Sequence, residues 1–141
     1  MKNKSTFMLF ALLAMVFSLS GCAPSPRVSN FYMARDDQGA NKTATFAPTD
    51  AFYLFFDVDQ IPKGTPFEAR WYALNISGKD PNTPFKVMDQ NFIGGSTFLW
   101  LSVSTRLYFH LTNTTDWPVG QYRVDVYMSG NKVGEVSFSV S

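Results

Sequence analysis

The chain has 141 residues, of which 45% are hydrophobic and 16% charged, and its formal net charge is +1. So even a balance counts against a nucleic-acid partner, which would want clustered Lys and Arg, and no run of like charges occurs. With a single cysteine, Cys22, no intramolecular disulfide can form, so packing alone must hold any fold.

The N-terminus opens with a short positive head containing Lys2 and Lys4, followed by "FMLFALLAMVFSL" over 7–19, apolar apart from Ser18. A membrane-spanning helix needs roughly 20 apolar residues, so this shorter run reads as the core of a secretory signal. Small residues follow, then Pro24 and Pro26, which cannot continue a helix. Leu19-Ser20-Gly21-Cys22 resembles the bacterial lipobox. The resemblance implies that Ser20 and Gly21 fill the small-residue positions, that Leu19 fills the larger apolar one, and that the Cys22 thiol takes a diacylglyceryl group before cleavage leaves it first. It also implies export to a bacterial membrane. Because Ala23 rather than Asp follows the cysteine, that membrane is the outer one where the host has two. The expected organisation is a signal peptide over 1–21, a lipidated N-terminus and tether over 22–27, and one domain over 28–141. Loss of Lys2 and Lys4 leaves ten basic side chains against eleven acidic ones.

Beyond the tether the pattern has period two and almost no helical period. Strands are expected at 28–34, 43–47 and 51–58, the last with Phe52, Leu54, Phe56 and Val58 on one face. The turn "DQIPKGTP" leads to a strand at 67–76, with Phe67, Ala69, Trp71 and Ala73 together. Another candidate is 85–93, before Gly94-Gly95, while "TFLWLSVS" is ambiguous. Then come 106–112, with Leu107, Phe109 and Leu111 aligned, and 121–128, with Tyr122, Val124, Val126 and Met128 aligned. Gly130-Asn131 is expected to form a tight connection into 132–140, which aligns Val136, Phe138 and Val140. Seven or eight strands joined by Gly, Pro and Asn turns predict an all-β antiparallel sandwich, with a barrel as the alternative.

The stretch from Trp117-Pro118-Val119-Gly120-Gln121-Tyr122 to Phe138-Ser139-Val140 resembles the final hairpin of bacterial immunoglobulin-like domains in exported lipoproteins. Trp71 resembles the core tryptophan of strand C in such sandwiches, and Tyr122 the tyrosine-corner residue at the start of strand F. Val124 stands where antibody-type domains carry a cysteine, so the resemblance implies sheets joined by packing alone. It specifies a fold and leaves function open.

No catalytic constellation emerges. His110 is the single histidine, and no "GxSxG" elbow accompanies it, so a solvated or partner-facing histidine is the better reading. Asp36-Asp37 and Asp57/Asp59 are acidic pairs that could bind calcium if loops gathered enough oxygens, yet neither matches a calcium loop. Gly94-Gly95 lacks the helix and lysine of a phosphate loop, and a lone histidine with a lipidated cysteine excludes zinc. No metal or cofactor is therefore expected. Side chains pointing away from the assigned core include Tyr53, Phe55, Tyr72, Tyr108 and His110, with Trp100 in the ambiguous stretch. They form a candidate surface for an envelope protein, a glycan or a second copy of the chain. The reading is a lipid-anchored, non-catalytic binding module. A calcium- or glycan-binding domain is the alternative, and a hydrolase a more distant one.

Overall fold

The computed structural model describes residues 25–93 and 104–141. Eight strands run in chain order: β1 (Arg27–Ala34), β2 (Thr45–Phe46), β3 (Phe52–Asp59), β4 (Pro66–Ala73), β5 (Lys86–Asn91), β6 (Thr105–Leu111), β7 (Gly120–Met128) and β8 (Asn131–Val140). They form a three-stranded sheet, β1-β3-β6, facing a five-stranded one, β2-β8-β7-β4-β5. Neighbours pair antiparallel except β2, which runs parallel to β8. The sandwich expected from the alternation is present, and the consecutive strands β3 and β4 lie in opposite sheets.

The inward faces follow the period-two pattern. Phe52, Leu54, Phe56 and Val58 of β3 are buried against Phe67, Ala69, Trp71 and Ala73 of β4 and Tyr122, Val124 and Val126 of β7. Burying an aliphatic or aromatic side chain of this size contributes roughly 1.5–3 kcal/mol, enough to hold two sheets without a disulfide. Phe52 lies at the centre of the aromatic part of the core. Its ring centroid is 4.6 Å from Trp117, 4.8 Å from Phe138, 4.9 Å from Phe46 and 6.1 Å from Tyr122.

Two indole and phenol hydrogen bonds pin the loop between β6 and β7 to this core. Trp117 donates its Nε1–H to the Asp50 carbonyl at 2.9 Å, and its backbone N–H to the Pro48 carbonyl. Tyr122 donates its hydroxyl to the Pro118 carbonyl at 2.6 Å, which is the tyrosine corner. Burial pushes the Tyr122 phenol above its ordinary pKa, so the group stays a donor at neutral pH. Tyr122→Phe is expected to cost about 0.5–1.5 kcal/mol, the net value of one such bond. Urea melts of the two proteins would check this, and identical midpoints would deny the corner a stabilising part.

Three expectations shift in detail. The 43–47 strand contracts to Thr45–Phe46, because Thr43 Oγ1 bonds locally with the carbonyl and N–H of Thr45 and draws the backbone away from the ladder. The β7–β8 turn is centred on Ser129-Gly130 rather than Gly130-Asn131, since Asn131 already pairs with Met128. Both turn residues have positive φ, 49° and 83°, the twist that a two-residue hairpin requires. The 67–76 strand ends at Ala73, after which Leu74 N–H bonds the Gln121 carbonyl.

β1 carries the main irregularity. Its register against β3 shifts between Ser29 and Tyr32, where Asn30 adopts φ 55°. The shift lets both Val28 and Phe31 pack on the core although they are three apart. The far edge of the Phe31 ring abuts Gly134 of β8, where any Cβ would collide with it. A glycine there closes the edge between the two sheets.

Candidate binding surface

The outer face of the three-stranded sheet collects most of the aromatic side chains predicted to point outward. β3 and β6 pair so that Tyr53 is opposite His110, Phe55 opposite Tyr108, and Asp57 opposite Arg106. The rings interleave into a ridge. Tyr53 stacks on His110 at 5.5 Å, and Tyr108 lies 6.2 Å from Tyr53 and 5.3 Å from Phe55. Tyr108 is 44% exposed, His110 is exposed and Tyr53 half-buried.

Phe55 does point to this outer face, but it is not accessible: just 3% of it is exposed. Tyr32 of β1 covers it, stacked at 5.3 Å, and the 35–43 loop folds over both. Asp36 organises that loop by accepting backbone N–H bonds from Gln38, Ala40 and Asn41, which hold its carboxyl below the usual range, Ala40 most strongly. Gly39, at φ 68°, lies so close that a Cβ would meet the Tyr32 hydroxyl and the Phe55 ring. Lys42 from the same loop places its Nζ 4.0 Å from the Tyr32 ring centroid. Tyr32 and Lys42 thus belong to the surface although simple alternation does not turn them outward. The signal was the Tyr in "NFYM", whose facing is hidden by the β1 bulge.

Beside the ridge, Asp57 accepts bonds from Arg106 Nε at 2.8 Å and from Asn30 Nδ2 at 2.7 Å. The Arg106 bond chiefly, with Asn30 second, holds the Asp57 carboxyl below its ordinary value of 3.8. Because the native pKa is lowered, the stabilisation is full above 3.8 and is lost as pH falls through the native value. Asp57→Asn is therefore expected to flatten the acid limb of a Tm-versus-pH curve. An unchanged acid limb would mean the pair contributes nothing. Of the two acidic pairs considered for calcium, Asp36 and Asp57 each have a carboxylate engaged with protein partners. Among the described residues, no three His, Cys, Asp or Glu side chains gather as a metal site would need.

The outer face of the five-stranded sheet differs in kind. Tyr72, expected to be part of an open surface, is 7% exposed. The Arg123 guanidinium covers its ring at 4.6 Å, as Arg70 covers Tyr127 at 4.1 Å. Arg123 and Lys132 both pair with the buried Asp125, Lys132 also reaches Glu135, and Arg70 pairs with Glu68. This face satisfies its own charges, whereas the aromatic ridge leaves rings uncovered. The two sheets do not merge their aromatic residues into one patch: Tyr72 sits apart from Tyr53, Phe55, Tyr108 and His110. Leu19, Ser20, Gly21, Cys22, Gly94, Gly95 and Trp100 lie outside the described residues.

A cleft of about 420 Å³ opens at one end of the sandwich, floored by Phe85, Trp117 and Tyr122 and edged by Lys79, Lys86 and Asp116.

No protein-family model matches the chain, and no curated protein matches it. Among solved structures, it is similar to an immunoglobulin-like protein from Pseudomonas aeruginosa, at 12% identity and a TM-score of 0.53, covering 86% of this chain and 100% of that one. The fold is thus an immunoglobulin-like β-sandwich of eight strands among the described residues. A second structure, the Pseudomonas fluorescens alkylpurine DNA glycosylase AlkC bound to DNA containing an abasic-site analogue, gives a TM-score of 0.49 at 13% identity. The match covers 82% of this chain but 30% of the glycosylase chain, and a likeness of that size carries no argument about activity.

Proposed function

We propose that this chain is a lipid-anchored, non-catalytic binding module of a bacterial envelope, exported by its N-terminal signal and held on the membrane through Cys22. It engages an envelope protein or glycan through the ridge of Tyr53, Tyr108 and His110. The observation that carries this reading is Tyr108, 44% exposed on a sheet face beside Tyr53 and His110, while the opposite sheet covers its tyrosines with arginines. Rings with polar tips suit a contact that is part apolar and part wet. A non-catalytic role fits His110, which stacks on a tyrosine and has no hydrogen-bonded serine or carboxylate among the described residues.

The test is in-cell crosslinking of the anchored protein with mass spectrometry of what it captures, run beside the Tyr53→Ala/Tyr108→Ala variant. Capture of a reproducible envelope partner that drops at least about tenfold in the variant, as loss of interfacial aromatics would produce, supports the ridge. Equal capture by both proteins, with both folded, denies it. Capture of nothing but the chain itself would make the ridge a self-association surface.

A further inference from the structure

We propose that the sandwich stands end-on on the bilayer, with the end that carries Arg27, the 60–65 turn and Ile93 against the lipid headgroups. This rests on the reading of Cys22 as a lipid anchor. The connectivity of the strands defines that end. Arg27, where β1 begins, pairs with Asp59, the last residue of β3. Thr105, which opens β6, pairs with Val58. Pro66, which opens β4, pairs with Asn91 at the end of β5, and Met128 at the end of β7 pairs with Phe67 and Asn131. Backbone bonds tie these pieces together: Gly64 N–H to the Phe92 carbonyl at 2.7 Å, Phe92 N–H to Thr65, and Ser129 N–H to Pro66.

Chain length limits the alternatives. Five residue steps separate Cys22 from Arg27, and a fully extended chain spans at most about 3.6 Å per residue, so the anchor reaches no more than about 18 Å. An eight-residue strand such as β1 runs about 26 Å. The opposite end, with the cleft, therefore cannot turn to face the membrane while Cys22 stays in it.

Charge and exposure decide between standing and lying down. At the anchored end Arg27 and Lys63 are exposed and form no ion pair among the described residues, and Asp59 is the single acid in its turns. Ile93 is 83% exposed there, an apolar side chain suited to the headgroup boundary. The sheet faces pair their charges within themselves: Arg70 with Glu68, Arg123 and Lys132 with the buried Asp125, Lys132 also with Glu135, and Arg106 with Asp57. The loops at the far end add Asp50, Asp80 and Asp116, mixed with Arg35, Lys79 and Lys86. An anionic leaflet attracts the first of these surfaces more than the rest. End-on standing also leaves the aromatic ridge free for a partner.

Cys22 is the one native cysteine, and acylation blocks it, so a thiol placed elsewhere takes a fluorophore cleanly. Full-length lipidated protein carrying Lys63→Cys, Thr115→Cys, His110→Cys or Ser137→Cys is labelled with bimane. Each is then reconstituted into phosphatidylethanolamine–phosphatidylglycerol vesicles with headgroup-spin-labelled lipid as quencher. Mass spectrometry first establishes acylation of Cys22. The expected result is loss of most fluorescence at position 63 and near-complete retention at 115, 110 and 137. Quenching at 110 or 137 equal to that at 63 would lay a sheet face on the bilayer, and absence of quenching at every position would hold the domain off it; either overturns the proposal. Cys22 found without acyl chains would instead remove the anchor, and the orientation with it. Asn131→Cys, exposed at the same end, replaces Lys63→Cys if that variant misfolds, and the same outcomes decide.

Discussion

Phe52→Ala lowers the stability of the folded domain by about 3–5 kcal/mol, the range for truncating a fully buried phenylalanine. Phe52 is 0% exposed and its ring lies against Phe46, Trp117, Tyr122 and Phe138, with Trp71 at 6.4 Å. Phe46, Trp71, Tyr122 and Phe138 come from the five-stranded sheet and Trp117 from the loop before β7, so Phe52 carries the contact across from the three-stranded sheet. Removing the Phe52 ring leaves a void that rigid aromatic neighbours refill poorly, which adds a cavity cost to the lost transfer energy. A domain of this size has about 5–15 kcal/mol in total, so the variant retains little margin. Urea denaturation of residues 23–141, comparing midpoints at equal slope, measures the change. A loss below about 1 kcal/mol would mean that the cluster is loosely packed.

Under the proposed lipid anchor, Cys22→Ser is expected to abolish acylation while leaving the sandwich intact. A serine hydroxyl does not replace the thiol that takes the lipid. Each buried methylene contributes about 0.8 kcal/mol, and two or more chains are needed for stable anchoring, so losing the acylation site removes the whole contribution of the lipid. The variant should lose acyl labelling and remain as unprocessed precursor, with the far-ultraviolet spectrum of the domain preserved. Normal acyl labelling of Cys22→Ser would refute the lipobox reading outright.

Much of the architecture was legible because burial in a sandwich alternates with the same period as the backbone. The runs at Phe52–Val58, Phe67–Ala73 and Tyr122–Val126 each placed their buried residues correctly. Tyr122 was legible for a different reason: a tyrosine just after a glycine corner has a carbonyl within reach, here that of Pro118. What alternation cannot convey is what lies over an outer face. Phe55 and Tyr72 were assigned outward and are outward, yet the Tyr32 ring with the 35–43 loop covers one and the Arg123 guanidinium the other. Tyr32 was not legible because the bulge at Asn30 breaks the parity of β1. The ridge of Tyr53, Tyr108 and His110 was legible as separate outward residues. Their meeting depended on the β3–β6 register, a pairing across more than fifty residues of sequence.

The parallel contact between β2 and β8 has a consequence in time. Thr45 and Ser139, 94 residues apart, share this contact, and Ser139 and Ser141 donate their N–H groups to Ala44 and Phe46. Phe46, a member of the aromatic core, is therefore fixed from one side by the strand latest in sequence. Pairings of such long sequence separation slow the search for the native state, because loop closure must precede any reward. A chain still being synthesised cannot complete its core until β8 arrives. Closure then comes late, as the last strand locks an early segment into place.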